Sequence, residues 1–179
     1  MKGLVFTEFL EMVETRFGYR LVDRLLTEND LPSGGIYTTV GTYDHTEMLA
    51  LLNGLSQHTQ TPVSDLLRTY GRYLFGKLTK NYRHFMDHAD STFGLLTSIQ
   101  HHIHVEVRKL YPDAELPQFT IEKSTADQLI MRYESERKLA DFAYGLIEGC
   151  LDYFGEKAEI MQTNLVADGS VVRFTIVKQ

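Results

Sequence analysis

At Pro117 the spacing of apolar residues changes from three or four to two, and no other feature limits the fold class as much. Upstream, Val5, Phe9 and Met12 recur at helical steps, as do Leu25, Leu26 and the apolar residues around Leu21 and Val22. The run Asp30-Leu31-Pro32-Ser33-Gly34-Gly35 reads as a loop, and a helix is expected near 46–59. Thr61 suits an N-cap and Pro62 the first helical position, where its missing N–H costs nothing. Leu67, Tyr70, Leu74 and Leu78 then share a face. A further helix should start at Asp90 or Ser91 and stop at Tyr111, before Pro112, with Phe93, Leu96, Ile103, Val107 and Leu110 as its stripe.

Beyond Pro117, Phe119, Ile121 and Lys123 alternate with polar neighbours, and a turn at Ser124–Asp127 leads to a strand with Leu129, Met131 and Tyr133 on one face. A helix near 138–154 would align Leu139, Phe142, Leu146, Cys150 and Phe154. Strands near 158–166 and 171–178 flank Asp168-Gly169, a favoured two-residue hairpin turn. The expected fold is α+β: a helical N-terminal part and a C-terminal antiparallel sheet with covering helices.

Composition excludes several classes. A chain of 179 residues suits one domain, and 43% hydrophobic with 23% charged residues is incompatible with wholesale disorder. The net charge of −6 argues against nucleic acid as a partner. The lone Cys150 excludes an internal disulfide and a cysteine-rich zinc site, and reads as a small buried hydrophobe. No signal peptide or membrane-length apolar run is visible, so the expected location is the cytoplasm.

Histidine is the most reactive resource. Of seven, five lie between positions 84 and 104. His101 and His104 are one helical turn apart, and His84 and His88 have i,i+4 spacing, so either pair could chelate a metal. No carboxylate motif completes either pair, and solvated surface histidines explain most of them better. His104 differs because it lies within the apolar stripe, while His102 projects about 200° away. A buried imidazole must satisfy its nitrogens, either as a core histidine bonded to the protein or as a ligand.

Tyr133, Ser135 and Arg137 form a second candidate. On a continuing strand they would line one face with Leu129 and Met131, presenting a phenol, a hydroxyl and a guanidinium in a row. Such a row suits two carboxylates on an apolar body, although a hairpin end with a surface ion pair has the same spacing.

Tyr-x-Ser-x-Arg stands 29 residues after the histidine of His104-Val105-Glu106-Val107-Arg108-Lys109-Leu110-Tyr111-Pro112. Together with Pro117 and Phe142-Ala143-Tyr144-Gly145-Leu146-Ile147-Glu148-Gly149, it resembles the haem nitric-oxide/oxygen-binding (H-NOX) family, related to the haem domain of soluble guanylate cyclase. The resemblance runs from Met1-Lys2-Gly3 to the final hairpin. It implies one haem-binding sensor domain over 1–179, with a distal part of about 1–64, a proximal part of about 65–179 and haem b (iron protoporphyrin IX) buried between them. It further implies that His104 is the proximal iron ligand and that Tyr133, Ser135 and Arg137 bind the haem propionates. Pro117 and Val5 would hold the haem bent, and His101 and His102 are not assigned to iron.

In the same comparison Val5, Phe9, Leu74, Leu78, Phe142 and Leu146 match the distal pocket, and none carries a hydrogen-bond donor. The resemblance implies a tyrosine at the Phe142 position in oxygen-binding members, so Phe142 points to nitric oxide. Tyr144 projects about 200° from Phe142 and cannot substitute; Tyr70 lies on the Leu74 face and is the one phenol that could reach a ligand. The cysteine–histidine zinc cluster of some relatives has no counterpart here. The implied function is a sensor rather than an enzyme: nitric oxide binds ferrous haem, the iron–His104 bond breaks, and the helix bearing His104 shifts to regulate a histidine kinase or cyclic-di-GMP enzyme in trans. The alternatives are an oxygen-binding haem sensor and a non-haem metalloenzyme using the His84–His104 cluster.

Overall fold

The computed structural model describes residues 1–83, 86 and 89–179. They divide into two compact units, Met1–Tyr70 and Gly71–Gln179.

The first unit contains α1 (Gly3–Phe17), α2 (Tyr19–Glu28), α3 (His45–Thr59) and the beginning of α4 (Val63–Asn81). Gly18 separates α1 from α2 at φ 86°, a backbone region open to glycine because it has no Cβ. Its N–H closes α1 by donating to the Glu14 carbonyl at 2.8 Å. Asp44 caps α3, its Oδ1 accepting from the Thr46 N–H at 2.9 Å. At α4 the expected cap does not form: the Thr61 hydroxyl donates to the Thr59 carbonyl, and the Pro62 carbonyl accepts from Asp65 and Leu66. The helix therefore begins one residue later, at Val63.

Phe6, Phe9, Met12, Leu25, Leu51, Leu52, Leu55 and Tyr70 are all buried, so the helical periodicity marks core positions in this unit. The Tyr70 ring meets Phe9 edge-on at 5.3 Å, and its hydroxyl donates to the Val5 carbonyl. The loop before α3 is tied down by the buried Glu47, whose Oε2 accepts from the hydroxyls of Ser33 and Tyr37. Burial is the main reason that the Tyr37 hydroxyl is pushed up to about 12.

The second unit is built on an antiparallel sheet in the order β1-β2-β4-β3. Its strands are β1 (Gln118–Ser124), β2 (Gln128–Glu134), β3 (Ala158–Asn164) and β4 (Val171–Lys178). Leu129, Met131 and Tyr133 of β2, with Val172, Phe174 and Ile176 of β4, form one buried face. Against it pack Ala140, Ala143 and Ile147 of α7 (Ala140–Phe154) and Phe93 and Leu96 of α5 (Thr92–Ser98). A register shift between Ile121 and Lys123 interrupts the alternation expected in β1. The connection between β3 and β4 spans residues 165–170, wider than the predicted two-residue turn, although Gly169 does take a positive φ of 78°.

Two helices depart from their predicted faces. In α7 the buried residues include Ala140, Ala143, Gly145, Ile147, Gly149 and Cys150, whereas Phe142 and Leu146 are half-buried. Small residues let this helix lie close to α4 at two points along its length. A Cβ at Gly149 would come within 2.6 Å of the Phe75 Cβ, and one at Gly71 within 2.3 Å of the Phe142 carbonyl oxygen. The other departure is the single helix predicted over 91–111. Ser91 does cap it, accepting from the Gly94 N–H at 3.2 Å. The helix then widens to a π-helical turn at Ile99–Ile103 before continuing as α6 (His104–Leu110). That turn shifts the angular phase, so Leu110, expected on the apolar stripe, is 52% exposed.

Substituting Gly149→Ala should force α7 away from Phe75 and destabilise the protein by about 1–3 kcal/mol, read as a lower urea midpoint; an unchanged midpoint would contradict this close approach.

Candidate functional site

His104 is the first residue of α6, directly after the π-helical turn, and it is 7% exposed. Its N–H donates to the Ile99 carbonyl, the i→i−5 bond that defines the wider turn. His101 is exposed, and His102 and Ile103 are half-buried, so among the described histidines of this cluster only His104 is buried. Burial, with a smaller contribution from the Arg108 charge, lowers the His104 pKa to about 4. The imidazole is therefore neutral near pH 7. Its buried Nδ1 has no hydrogen-bond partner.

A ring row runs from this histidine along the edge of the sheet. The Phe119 ring centroid lies 5.9 Å from that of His104 and 5.6 Å from that of Tyr133. The Phe119 N–H also donates to Gln100 Oε1 at 3.2 Å, joining β1 to the π-helical turn. Phe119 was legible as a strand residue, yet alternation carries no signal that it stands between the two candidate groups. Pro117 is half-buried and directly precedes β1.

The Tyr133, Ser135 and Arg137 side chains do not lie in line on a strand. β2 ends at Glu134, and residues 135–138 form a turn in which Ser135 Oγ accepts from the Arg137 N–H and Lys138 takes a φ of 56°. The turn forms because local polar groups find partners there. The Ser135 N–H donates to the Ser170 carbonyl at 2.9 Å, and the Lys138 N–H to the Ser135 carbonyl at 3.2 Å. The three residues still converge: Tyr133 is 3% exposed, and its pKa is raised chiefly by burial, with the Ser135 hydroxyl beside it and the Arg137 charge close enough to oppose the rise. Its hydroxyl accepts from the Leu139 N–H at 3.2 Å. The Arg137 side chain is 17% exposed and donates from Nη1 to the Glu115 carbonyl and from Nη2 to the Glu115 carboxylate, at 2.8 and 2.7 Å.

The six apolar positions singled out in the sequence are divided between the units. In the first, Phe9 is buried and Val5 half-buried on α1. In the second, Leu74 is 4% exposed and Leu78 half-buried on α4, while Phe142 and Leu146 lie on α7 where its backbone nears Gly71. Tyr70 belongs to the first unit, and its single hydroxyl proton goes to the Val5 carbonyl. Of the predicted histidine pairs, His84 and His88 lie outside the described residues. Among the described residues no group of three or more His, Cys, Asp or Glu side chains could hold a metal ion. Burial raises the Cys150 thiol to about 12, which makes it unreactive.

This donor set fits a flat apolar group that carries a metal and carboxylates. A neutral buried imidazole with an unpartnered nitrogen suits iron, and a largely buried guanidinium suits carboxylate. The class defined is thus a haem-binding domain. The sequence profile of the haem-NO-binding family matches residues 2–162, and the chain belongs to that family, known as H-NOX, whose members are haem-based gas sensors.

Solved structures agree. The unliganded ferrous H-NOX protein from K. algicida is 44% identical, with a TM-score of 0.96 and coverage of 100% of this chain and 97% of that one. The H-NOX from Shewanella woodyi is 42% identical, with a TM-score of 0.85 and coverage of 100% and 95%. An H-NOX protein from S. oneidensis in the Fe(II)NO ligation state is 27% identical, with a TM-score of 0.92 and coverage of 100% and 99%. No curated protein matches the chain significantly. No helix among the described residues is long and apolar enough to cross a membrane.

The lowered His104 pKa sets a pH dependence for the haem-free chain. The unfolded chain takes up a proton near pH 6.5, the folded chain only near 4, so this contribution to stability is complete above about pH 6.5 and is lost as pH falls toward 4. Urea unfolding across that window should show a loss of about 3 kcal/mol that disappears in His104→Gln.

Proposed function

We propose that this protein is a nitric-oxide-selective haem sensor that regulates a separate signalling protein. The observation that carries the reading is the buried, neutral His104 imidazole with its unpartnered Nδ1, at the point where the helix leaves its π-helical turn. Haem b, when bound, would supply a ferrous iron able to take an imidazole and a diatomic gas. His104 is the proposed iron ligand, and Tyr133, Ser135 and Arg137 are the proposed propionate contacts. Val5 and Pro117 are proposed to shape the haem. Phe9, Leu74, Leu78, Phe142 and Leu146 are proposed to line its distal side. The whole chain acts as one sensor domain in this reading, located in the cytoplasm and not itself an enzyme.

Selectivity follows from missing donors. Bound dioxygen gains from a hydrogen bond to its partly negative outer atom, whereas nitric oxide needs no such help. Phe142 supplies no donor, and Tyr70, the phenol left in question by the sequence, directs its proton to the Val5 carbonyl. The S. oneidensis relative in its Fe(II)NO state supports nitric oxide as the ligand. His104 is the switch: held, it anchors the start of α6, and released, it leaves the segment beyond the π-helical turn free to shift. The output proposed on the family resemblance is a histidine kinase or a cyclic-di-GMP enzyme.

Purified ferrous protein should be coloured, and His104→Gly should lose ferrous haem unless imidazole is added. A His104→Gly spectrum identical to wild type would remove the assignment. The ferrous protein should give a nitrosyl spectrum and no stable oxy spectrum in air. Phe142→Tyr should raise oxygen affinity about ten- to a hundredfold, the worth of one hydrogen bond to a strongly polarised group; a stable oxy complex in wild type would sink the selectivity claim.

A further inference from the structure

We propose that Glu115 is a positioning residue that aims the Arg137 guanidinium at a haem carboxylate, an inference that rests on Arg137 being a propionate contact. Two independent atoms of Glu115 grip the same side chain. Its backbone carbonyl accepts from Arg137 Nη1 and its carboxylate from Nη2, one partner for each terminal nitrogen of the fork. A guanidinium is planar, so fixing both terminal nitrogens fixes the plane of the whole group. Of its five N–H donors these bonds use two, leaving three for a ligand.

The burial of the two partners shows what the pair is for. Glu115 is 86% exposed and Arg137 17% exposed. An ion pair with one end so open to water adds little to stability. Its effect is geometric: it holds a largely buried cation in one orientation. Arg137 needs that support because it stands in the turn after β2, where the backbone alone leaves a long side chain free. Glu115 also lies in the segment 111–117 that joins α6 to β1. The residues that follow His104 and the residue that grips the haem edge are thereby fastened to each other.

The test uses the haem-loaded full chain and measures haem transfer to an excess of apomyoglobin. Glu115→Ala should lose haem about two- to fivefold faster than wild type. Glu115→Gln, which keeps the acceptor oxygen but not the charge, should fall between them. The propionate bending bands in the resonance Raman spectrum should shift in Glu115→Ala with no change in the thermal midpoint of the haem-free chain, which a purely structural role would not produce. A wild-type rate in Glu115→Ala, with Arg137→Ala still accelerating loss, overturns the role of Glu115 alone. Slower loss in Glu115→Ala overturns it too, because Glu115 would then compete with haem for Arg137. If Arg137→Ala also behaves as wild type, the propionate reading itself falls.

Discussion

Burial of one imidazole sets the candidate site in the second unit. A histidine in an apolar surrounding is held neutral because the charged form loses its hydration, and a neutral ring keeps a nitrogen lone pair available. The chain reaches that position by distorting a helix. The five-residue π-helical turn at Ile99–Ile103 inserts extra arc before His104 and directs it inward, while Val105 and Leu110 beyond it stay exposed. Gln100 and Phe119 then fasten the turn to the sheet edge. A regular helix would distribute the same residues over different faces. The local distortion and the ligand role proposed for His104 are two aspects of one placement.

The other end of the ring row follows a different physical rule. Tyr133 comes from regular β-structure, and its burial on the sheet face is a packing fact. Ser135 and Arg137 come from a turn held by hydrogen bonds to the backbone, to Ser170 and to Glu115. Apolar packing thus sets one member of the motif and polar bonding sets the other two. The surface ion pairs add little free energy, but they determine which way long side chains point. Lys138 and Asp168 act similarly at 3.0 Å, tying the turn to the β3–β4 connection.

In the proposed reading, ligand choice depends on where hydrogen-bond donors are directed as well as on which residues are present. Tyr70 illustrates this, since its side chain is among the largest fully buried ones and carries a donor. Directed at the Val5 carbonyl, that donor serves the first unit's own structure. A backbone carbonyl has two lone pairs, so Val5 can take this bond in addition to its helical one.

Much of the fold, and the residues that make up the candidate site, were legible in the sequence. The change of period at Pro117 marked where the sheet begins, Ser91 marked a helix start, and the spacing of His104 from Tyr133, Ser135 and Arg137 carried the family. These are properties of residues close in the chain, where periodicity, caps and turn chemistry act directly. Phe119 as the link between the candidate groups, the π-helical turn, the Arg137–Glu115 grip and the direction of the Tyr70 proton were not legible. Each depends on a partner between 14 and 65 residues away, or on a helix yielding to packing. The sequence by itself determined which chemical groups are available and roughly which elements carry them. The tertiary structure decided which of those groups are desolvated, which are already paired and which way each one faces, because those properties depend on atoms that chain order does not bring together.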